Sequence, residues 1–352
     1  ASSIGWHRHR SGFDFGSPHA ATSTGIRGLP GEVGDGQSRF GAGVRAVDRL
    51  APVVGGTSEA DPETAPMKLS CLEGVPEDLW LTDPAVQRAR AILEKAQGRI
   101  RAVSFDFFDT LVWRWTDEPT GVFVEVGERL RAKGAIPAHW RSEDYRVYRR
   151  MAEVRARQRL IDPQKGHEDI TLDEILDHLR ALGVDVQSAA EVETQTEEEL
   201  CCLNPALVQF ALWLRQRGLR VVIISDVYLS GEHLAGILRA NRCDPELFHR
   251  IYTSADQRVC KSTGNLFRAV LRAEKLAADQ WLHLGDNLQA DVLGAWKAHV
   301  QAISYTPVWP VIQTLFEREA FLPGRRPTVF SARGLRLLAS RRYAGQGEPE
   351  FF

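Results

Sequence analysis

Four short apolar runs punctuate the chain: Ile100 to Phe105, Leu219 to Ile224, Trp281 to Leu284 and Val300 to Ser304. Each has the length and near-continuous apolar character of a strand covered on both faces. Between them the apolar positions recur at helical spacing, as in Leu207, Phe210, Ala211 and Leu214, and again in Leu266, Phe267, Val270 and Leu271. Strand alternating with amphipathic helix predicts an α/β fold with a Rossmann-like parallel sheet. Asp83 followed by Pro84 predicts an N-cap and a first turn, opening a helix that runs toward Gln97 and stops at Gly98.

Three regions depart from that alternation. Residues 113–204 are charged and helical in pattern, and Thr171-Leu172-Asp173-Glu174 forms a capping box before Ile175, Leu176 and Leu179. An α-helical insertion is expected there, between core segments 80–112 and 205–306. Residues 1–66, rich in Gly, Ser, Ala and Pro without sustained periodicity, are expected to form a flexible leader. Residues 307–352 read as a C-terminal extension whose arginines, from Arg325 to Arg342, suit a solvated helix face or the root of a further domain. The lack of an initial Met and the end at Phe352 are expected of a piece cut from a longer chain.

Composition narrows the function classes. With 44 basic and 46 acidic side chains, the formal net charge is -2, so nothing global steers the chain toward nucleic acid. No apolar run approaches the roughly 20 residues of a membrane span. Five cysteines without a C-x-x-C pair give neither a zinc site nor a disulfide framework, and a cytoplasmic protein is expected.

In open parallel sheets ligands bind outside the carboxyl ends of the strands. Here those ends read Asp106 with Asp109 and Thr110, then Ser225 with Asp226, then Asp286 with Asn287 and Asp291, and Lys261 lies nearby. Acids, a hydroxyl and a lysine at one rim suit phosphoryl transfer. A carboxylate can attack phosphorus and split hydrolysis into two easier steps. The approach of two anions calls for Mg²⁺, a hard cation that carboxylates and carbonyls hold.

These residues carry a resemblance. Ser104-Phe105-Asp106-Phe107-Phe108-Asp109-Thr110-Leu111, Ile223-Ile224-Ser225-Asp226, Lys261 and Gly285-Asp286-x-x-x-x-Asp291 resemble, in order, the four signatures of the haloacid dehalogenase-like superfamily. The resemblance spans about 103–300 and places the insertion where that superfamily has its type 1 helical cap. It implies that Asp106 is the nucleophile and that Lys261 supports it catalytically. Ser225, Asp226, Thr110 and Asn287 would face the substrate. Asp106, the carbonyl of Phe108, Asp286 and Asp291 would hold Mg²⁺. The S-F-D-x-F-D-T-L motif also resembles domains found beside glycosyltransferase modules, which implies a fused or associated glycosyltransferase and a small phosphorylated substrate such as a sugar phosphate.

One position departs from the pattern. The second Asp of the family's phosphatases, the acid and base two residues after the nucleophile, is Phe108 here. Asp109, or His139, His167 or Glu168 of the insertion, could supply the missing proton. An acyl phosphate would hardly need it. An aromatic residue at this position also resembles the metal-independent dehalogenases, and a module that binds phosphate without turnover is a further alternative.

Overall fold

The computed structural model describes residues 69–116, 119–160 and 166–308, together with 311 and 314. The expected leader, and nearly all of the expected C-terminal extension, lie outside the described residues. The described core extends upstream of its expected boundary, because Leu69, Cys71, Val75 and Leu79 are already buried in the main apolar cluster. Helix α1 (Pro84–Lys95) follows, and the Asp83 carboxylate accepts hydrogen bonds from the Ala85 and Val86 amides at its start. That is the capping read from Asp83-Pro84.

The centre is a five-stranded sheet of order β5-β4-β1-β6-β7, with β1 (Ala102–Phe105), β4 (Arg220–Ser225), β5 (Arg250–Thr253), β6 (Trp281–Gly285) and β7 (Gln301–Ser304). Every pairing within it is parallel. Val103, Phe105, Val221, Ile223, Leu282 and Leu284 enter one apolar cluster, whereas Ala102, Val222, Ile224 and Trp281 enter a second. The two sets alternate along each strand, so both faces are covered, which is why the runs read as continuous apolar stretches. Four of the strands coincide with those runs. The fifth, β5, is an edge strand that begins at an exposed Arg250 and is buried only at Tyr252 and Thr253, too short and polar to stand out in the sequence.

Chain order runs outward from β1 through β4 to β5, then returns to β6 and β7 on the other side of β1. The reversal leaves a crevice at the carboxyl end of β1.

Strands β2 (Val112–Arg114) and β3 (Cys201–Leu203) form a separate antiparallel ribbon, pairing Val112 with Leu203 and Arg114 with Cys201. Among the described residues, four α-helices lie between them in the chain: α2 (Val122–Ala132), α3 (Ser142–Arg159), α4 (Leu172–Arg180) and α5 (Val186–Leu200). The capping box at α4 forms as read, with the Glu174 amide donating to Thr171 Oγ1 and the Thr171 amide donating to the Glu174 carboxylate. After the ribbon come α6 (Pro205–Gln216), α7 (Gly231–Ala240), the one-turn α8 (Ser254–Gln257), α9 (Asn265–Glu274) and, beyond a π-helical turn, α10 (Gly294–Lys297). Among the described residues no helix is long and apolar enough to cross a membrane.

Inside the helical insertion, Arg149 of α3 and Glu193 of α5 form a bidentate pair at 2.9 and 2.7 Å, both side chains fully buried. Removing Glu193 leaves the buried guanidinium with only the looser Glu153 carboxylate at 3.5 Å, at a cost of about 3 kcal/mol, the low end for a broken buried pair. Glu193→Ala should therefore lower unfolding free energy in urea by that order. Asp177→Ala, which breaks the exposed Arg180–Asp177 pair, should cost no more than about 1 kcal/mol.

Candidate active site

The parallel register brings the ends of β1 and β6 level, and the Asp106 amide donates to the Leu284 carbonyl at 2.8 Å. Asp106 thus leaves its strand beside the point where Gly285 and Asp286 leave theirs. Carboxylate oxygens of Asp106, Asp286 and Asp291 lie within 4.8 Å of one another. A Cβ at Gly285 would overlap the Asp291 carboxyl group, so glycine is what lets the second acid of G-D-x-x-x-x-D fold back against the strand end. Gly294 does the same for the lysine, since a Cβ there would overlap the Lys261 carbonyl.

Lys261 Nζ lies between two of these acids, 2.5 Å from Asp106 Oδ1 and 2.5 Å from Asp291 Oδ1, and only 2 % of its side chain is exposed. Thr110, fully buried, reaches toward Asp106 Oδ2 at 3.4 Å and Asp286 Oδ1 at 3.5 Å. Three carboxylates thus cluster at one rim, two of them touching the Lys261 ammonium. The titration of the group follows. Burial pushes the Asp106 carboxyl well up; the Lys261 charge opposes this, while Asp291 and Asp286 add to it. Burial acts the same way on Asp291, but Lys261 and a hydrogen bond from His283 outweigh it and hold that carboxyl far below its usual range. The donor set is three carboxylates with oxygens within 4.8 Å of one another, so these residues fit a hard ion such as Mg²⁺.

Behind Asp291 runs a buried polar chain that sequence reasoning missed. Trp281 Nε1 donates to Ser104 Oγ at 2.8 Å, Ser104 Oγ lies 2.7 Å from His283 Nδ1, and His283 Nε2 lies 3.1 Å from Asp291 Oδ1. An indole nitrogen only donates, so the serine oxygen accepts there; the Asp291 carboxylate only accepts, so the imidazole donates to it and Nδ1 is left to accept the serine's proton. That assigns the remaining imidazole proton to Nε2, facing the carboxylate. Burial pushes the imidazole down, which keeps it neutral. The available signal was two polar residues, Ser104 and His283, inside otherwise apolar strand runs.

Asp226 enters the site through the main chain, accepting the Lys261 amide at 2.7 Å. Ser225, buried, ends β4 at the same rim and pairs with Thr253. Asn287 is exposed, and its Oδ1 accepts from the Gln289 and Ala290 amides, capping the π-helical turn. Asp109 stands outside the three-carboxylate group and has a left-handed backbone, φ 61°. The turn after Asp106 is thus not an ordinary one.

At the position of the usual acid, the Phe108 ring lies under the Arg114 guanidinium, 3.7 Å from its centroid, and Glu197 of α5 grips that guanidinium at 2.7 and 2.9 Å. No proton donor replaces the acid at that residue. His139 is exposed, and His167 Nδ1 lies 3.2 Å from Arg258 Nη2. Burial raises the Glu168 carboxyl, but hydrogen bonds from Cys260, Thr263 and Asn265 outweigh it and hold the group below its usual value. It is ionised at neutral pH and has no proton to give.

Solved structures resemble the chain at low identity. CbbY from Rhodobacter sphaeroides in complex with phosphate is 16% identical, covering 60% of this chain and 88% of its own, with a TM-score of 0.41. A 2-haloacid dehalogenase from Pseudomonas syringae pv. Tomato is 21% identical over 69% of this chain and 99% of its own, with a TM-score of 0.41. The L-2-haloacid dehalogenase RSc1362 is 18% identical over 68% and 99%, with a TM-score of 0.40. No curated protein matches the sequence. The model of the haloacid dehalogenase-like hydrolases matches residues 100–299, more than half of the chain and the whole stretch from β1 to the end of α10. On that match, the chain belongs to the haloacid dehalogenase-like hydrolase family.

Proposed function

We propose that the protein is a Mg²⁺-dependent phosphohydrolase that works through an aspartyl-phosphate at Asp106 on a small phosphorylated metabolite. The observation that carries this reading is the cluster of three carboxylates, Asp106, Asp286 and Asp291, with oxygens within 4.8 Å of one another beside the buried Lys261 ammonium. An anionic substrate meets like charge at such a cluster, which a bound cation would offset. Asp106, Asp286, Asp291 and the carbonyl of Phe108 would hold Mg²⁺, which when bound supplies the positive charge that lets two anions meet.

The chain's own residues do the rest. An Asp106 oxygen attacks phosphorus, the bond from phosphorus to the leaving oxygen breaks, and the leaving group departs with that electron pair. Water then attacks the same phosphorus, the Asp106–phosphorus bond breaks, and phosphate leaves with the carboxylate restored. Lys261 neutralises a phosphoryl oxygen during both steps, and Ser225 donates to another. Thr110 steadies Asp106 and Asp286. The helices between β2 and β3 serve as a cap that closes over the carboxyl ends of the strands.

Phe108 sets the substrate preference. With no acid beside it, the leaving group takes its proton from solvent or needs none, which favours acyl phosphates and other good leaving groups over alkyl phosphates such as simple sugar phosphates. The same residue supports a second reading, a module that binds phosphate and does not turn it over.

Two measurements test the proposal. Phosphate release from acetyl phosphate, p-nitrophenyl phosphate and a sugar-phosphate panel should require Mg²⁺, stop with EDTA and fall to background in Asp106→Asn. Acetyl phosphate should lead alkyl phosphates by about 10²–10⁴-fold, the usual contribution of a general acid. Binding without turnover would support the second reading, and turnover that survives EDTA would favour carbon–halogen chemistry. In a thermal melt, Mg²⁺ at about 100 times its Kd should raise Tm by roughly 5–10 °C. Asp286→Asn should remove most of that rise. The rise should also shrink from pH 7.5 to pH 5, because the Asp106 carboxyl, raised by burial, takes up a proton that competes with the cation.

A further inference from the structure

The helical insertion holds the loop that carries the lysine. Glu168 lies between α3 and α4, and its Oε2 accepts from the Cys260 amide at 2.8 Å and from Thr263 Oγ1 at 2.7 Å. Its other oxygen accepts from Asn265 Nδ2, and its own amide donates to the Arg258 carbonyl at 2.8 Å. Around it, Ser254 Oγ donates to Asp169 Oδ2 at 2.5 Å, and the Arg258 guanidinium meets both oxygens of Glu174 at 2.8 Å. Segment 254–265 is thus tied to segment 168–174 at several points on both sides of Lys261.

The amides of two consecutive residues, Cys260 and Lys261, are taken by two carboxylates of different origin. Glu168 comes from the insertion and Asp226 from the end of β4. We propose that Glu168 is a positioning residue for Lys261, so that the insertion places the phosphate-binding lysine as well as covering the site. A lysine stem has four rotatable carbons and about 2 kcal/mol of rotamer entropy, so an ammonium held between two acids needs a fixed main-chain origin. Asp226 fixes the Lys261 amide, and the ties at Ser254 and Arg258 hold the segment only before Cys260. Glu168 supplies the second point and, through Thr263 and Asn265, fixes the turn that leads into α9. The ionised state of Glu168 suits an acceptor of three hydrogen bonds.

The phosphate-binding role of Lys261 rests on the proposed function, but its placement by Glu168 does not, and the test separates the two. Residue-resolved amide hydrogen exchange on the full chain compares wild type with Glu168→Ala and Glu168→Gln. In Glu168→Ala the Lys261 amide should exchange at least about 10-fold faster, although its own acceptor, Asp226, is untouched; Glu168→Gln, which keeps one acceptor oxygen, should show a smaller change. Faster exchange at Cys260 alone would overturn the proposal. If wild type turns over acetyl phosphate, Glu168→Ala should lower kcat by up to about 100-fold, as misplacing a catalytic group does. In a Lys261→Met background it should lower kcat no further. Equal losses in both backgrounds would show a merely structural role and overturn the proposal. A wild type that hydrolyses nothing would sink the proposed function while leaving the exchange result to decide this one. Should Glu168→Ala not fold, the comparison rests on Glu168→Gln, and unchanged Lys261 exchange there would overturn the assignment.

Discussion

A buried ammonium, that of Lys261, touches two carboxylates at 2.5 Å, and a third, that of Asp286, has an oxygen within 4.8 Å of theirs. Removing such ions from water costs several kcal/mol each, and the attraction between them returns that only where further hydrogen bonds satisfy the remaining lone pairs. The surroundings are built to meet that condition. Asp291 accepts from Lys261, from His283 and, at its other oxygen, from the Asn287 amide at 2.8 Å. Asp106 has Lys261 on one oxygen and Thr110 near the other. Burial pushes Lys261 down, but its acidic neighbours outweigh this and raise it far above its ordinary value, so it stays charged.

The sheet is arranged around the same need. Ser104 and His283 are direct neighbours across the β1–β6 pairing, on the face that carries Ala102 and Trp281. A polar pair in the middle of an apolar layer is tolerated because each member is fully used: Trp281 supplies a proton to Ser104, Ser104 to His283, and His283 to Asp291. The strand that ends in one acid and the strand that ends in the other two are thus joined by their side chains as well as by their ladder.

Much of this was legible in the chain. Continuous apolar runs gave four of the five sheet strands, and the capping residues Asp83 and Thr171 marked their helices, because buried strands and helix starts have local signatures. Strand ends are where side chains meet ligand, so Asp106, Lys261, Asp286 and Asp291 could be read as one group. Three things were not legible. Edge strand β5 buries too little to leave a pattern. The β2–β3 ribbon pairs Val112–Arg114 with Cys201–Leu203 across the whole insertion, a contact that no local window contains. Glu168 read as a spare acid, yet its three donors all lie about a hundred residues away in the chain.

Phe108 belongs to a larger arrangement than a lone replacement would suggest. Its ring supports the Arg114 guanidinium, Arg114 is gripped by Glu197, and one turn earlier on α5 Glu193 grips Arg149, whose guanidinium lies 4.8 Å from the Tyr228 ring. Tyr228 follows Ser225 and Asp226 on the loop after β4. Two ion pairs on one helix, that of Arg149 fully buried, therefore connect the residue two positions after Asp106, the insertion, and the loop after β4. A carboxylate at position 108 would meet a guanidinium that already has its partner, and the positive charge would hold the new acid ionised, with no proton to donate. The absence of the acid and the presence of the arginine are one feature, and the chemistry open to this site is what Asp106, Lys261 and solvent can perform beside it.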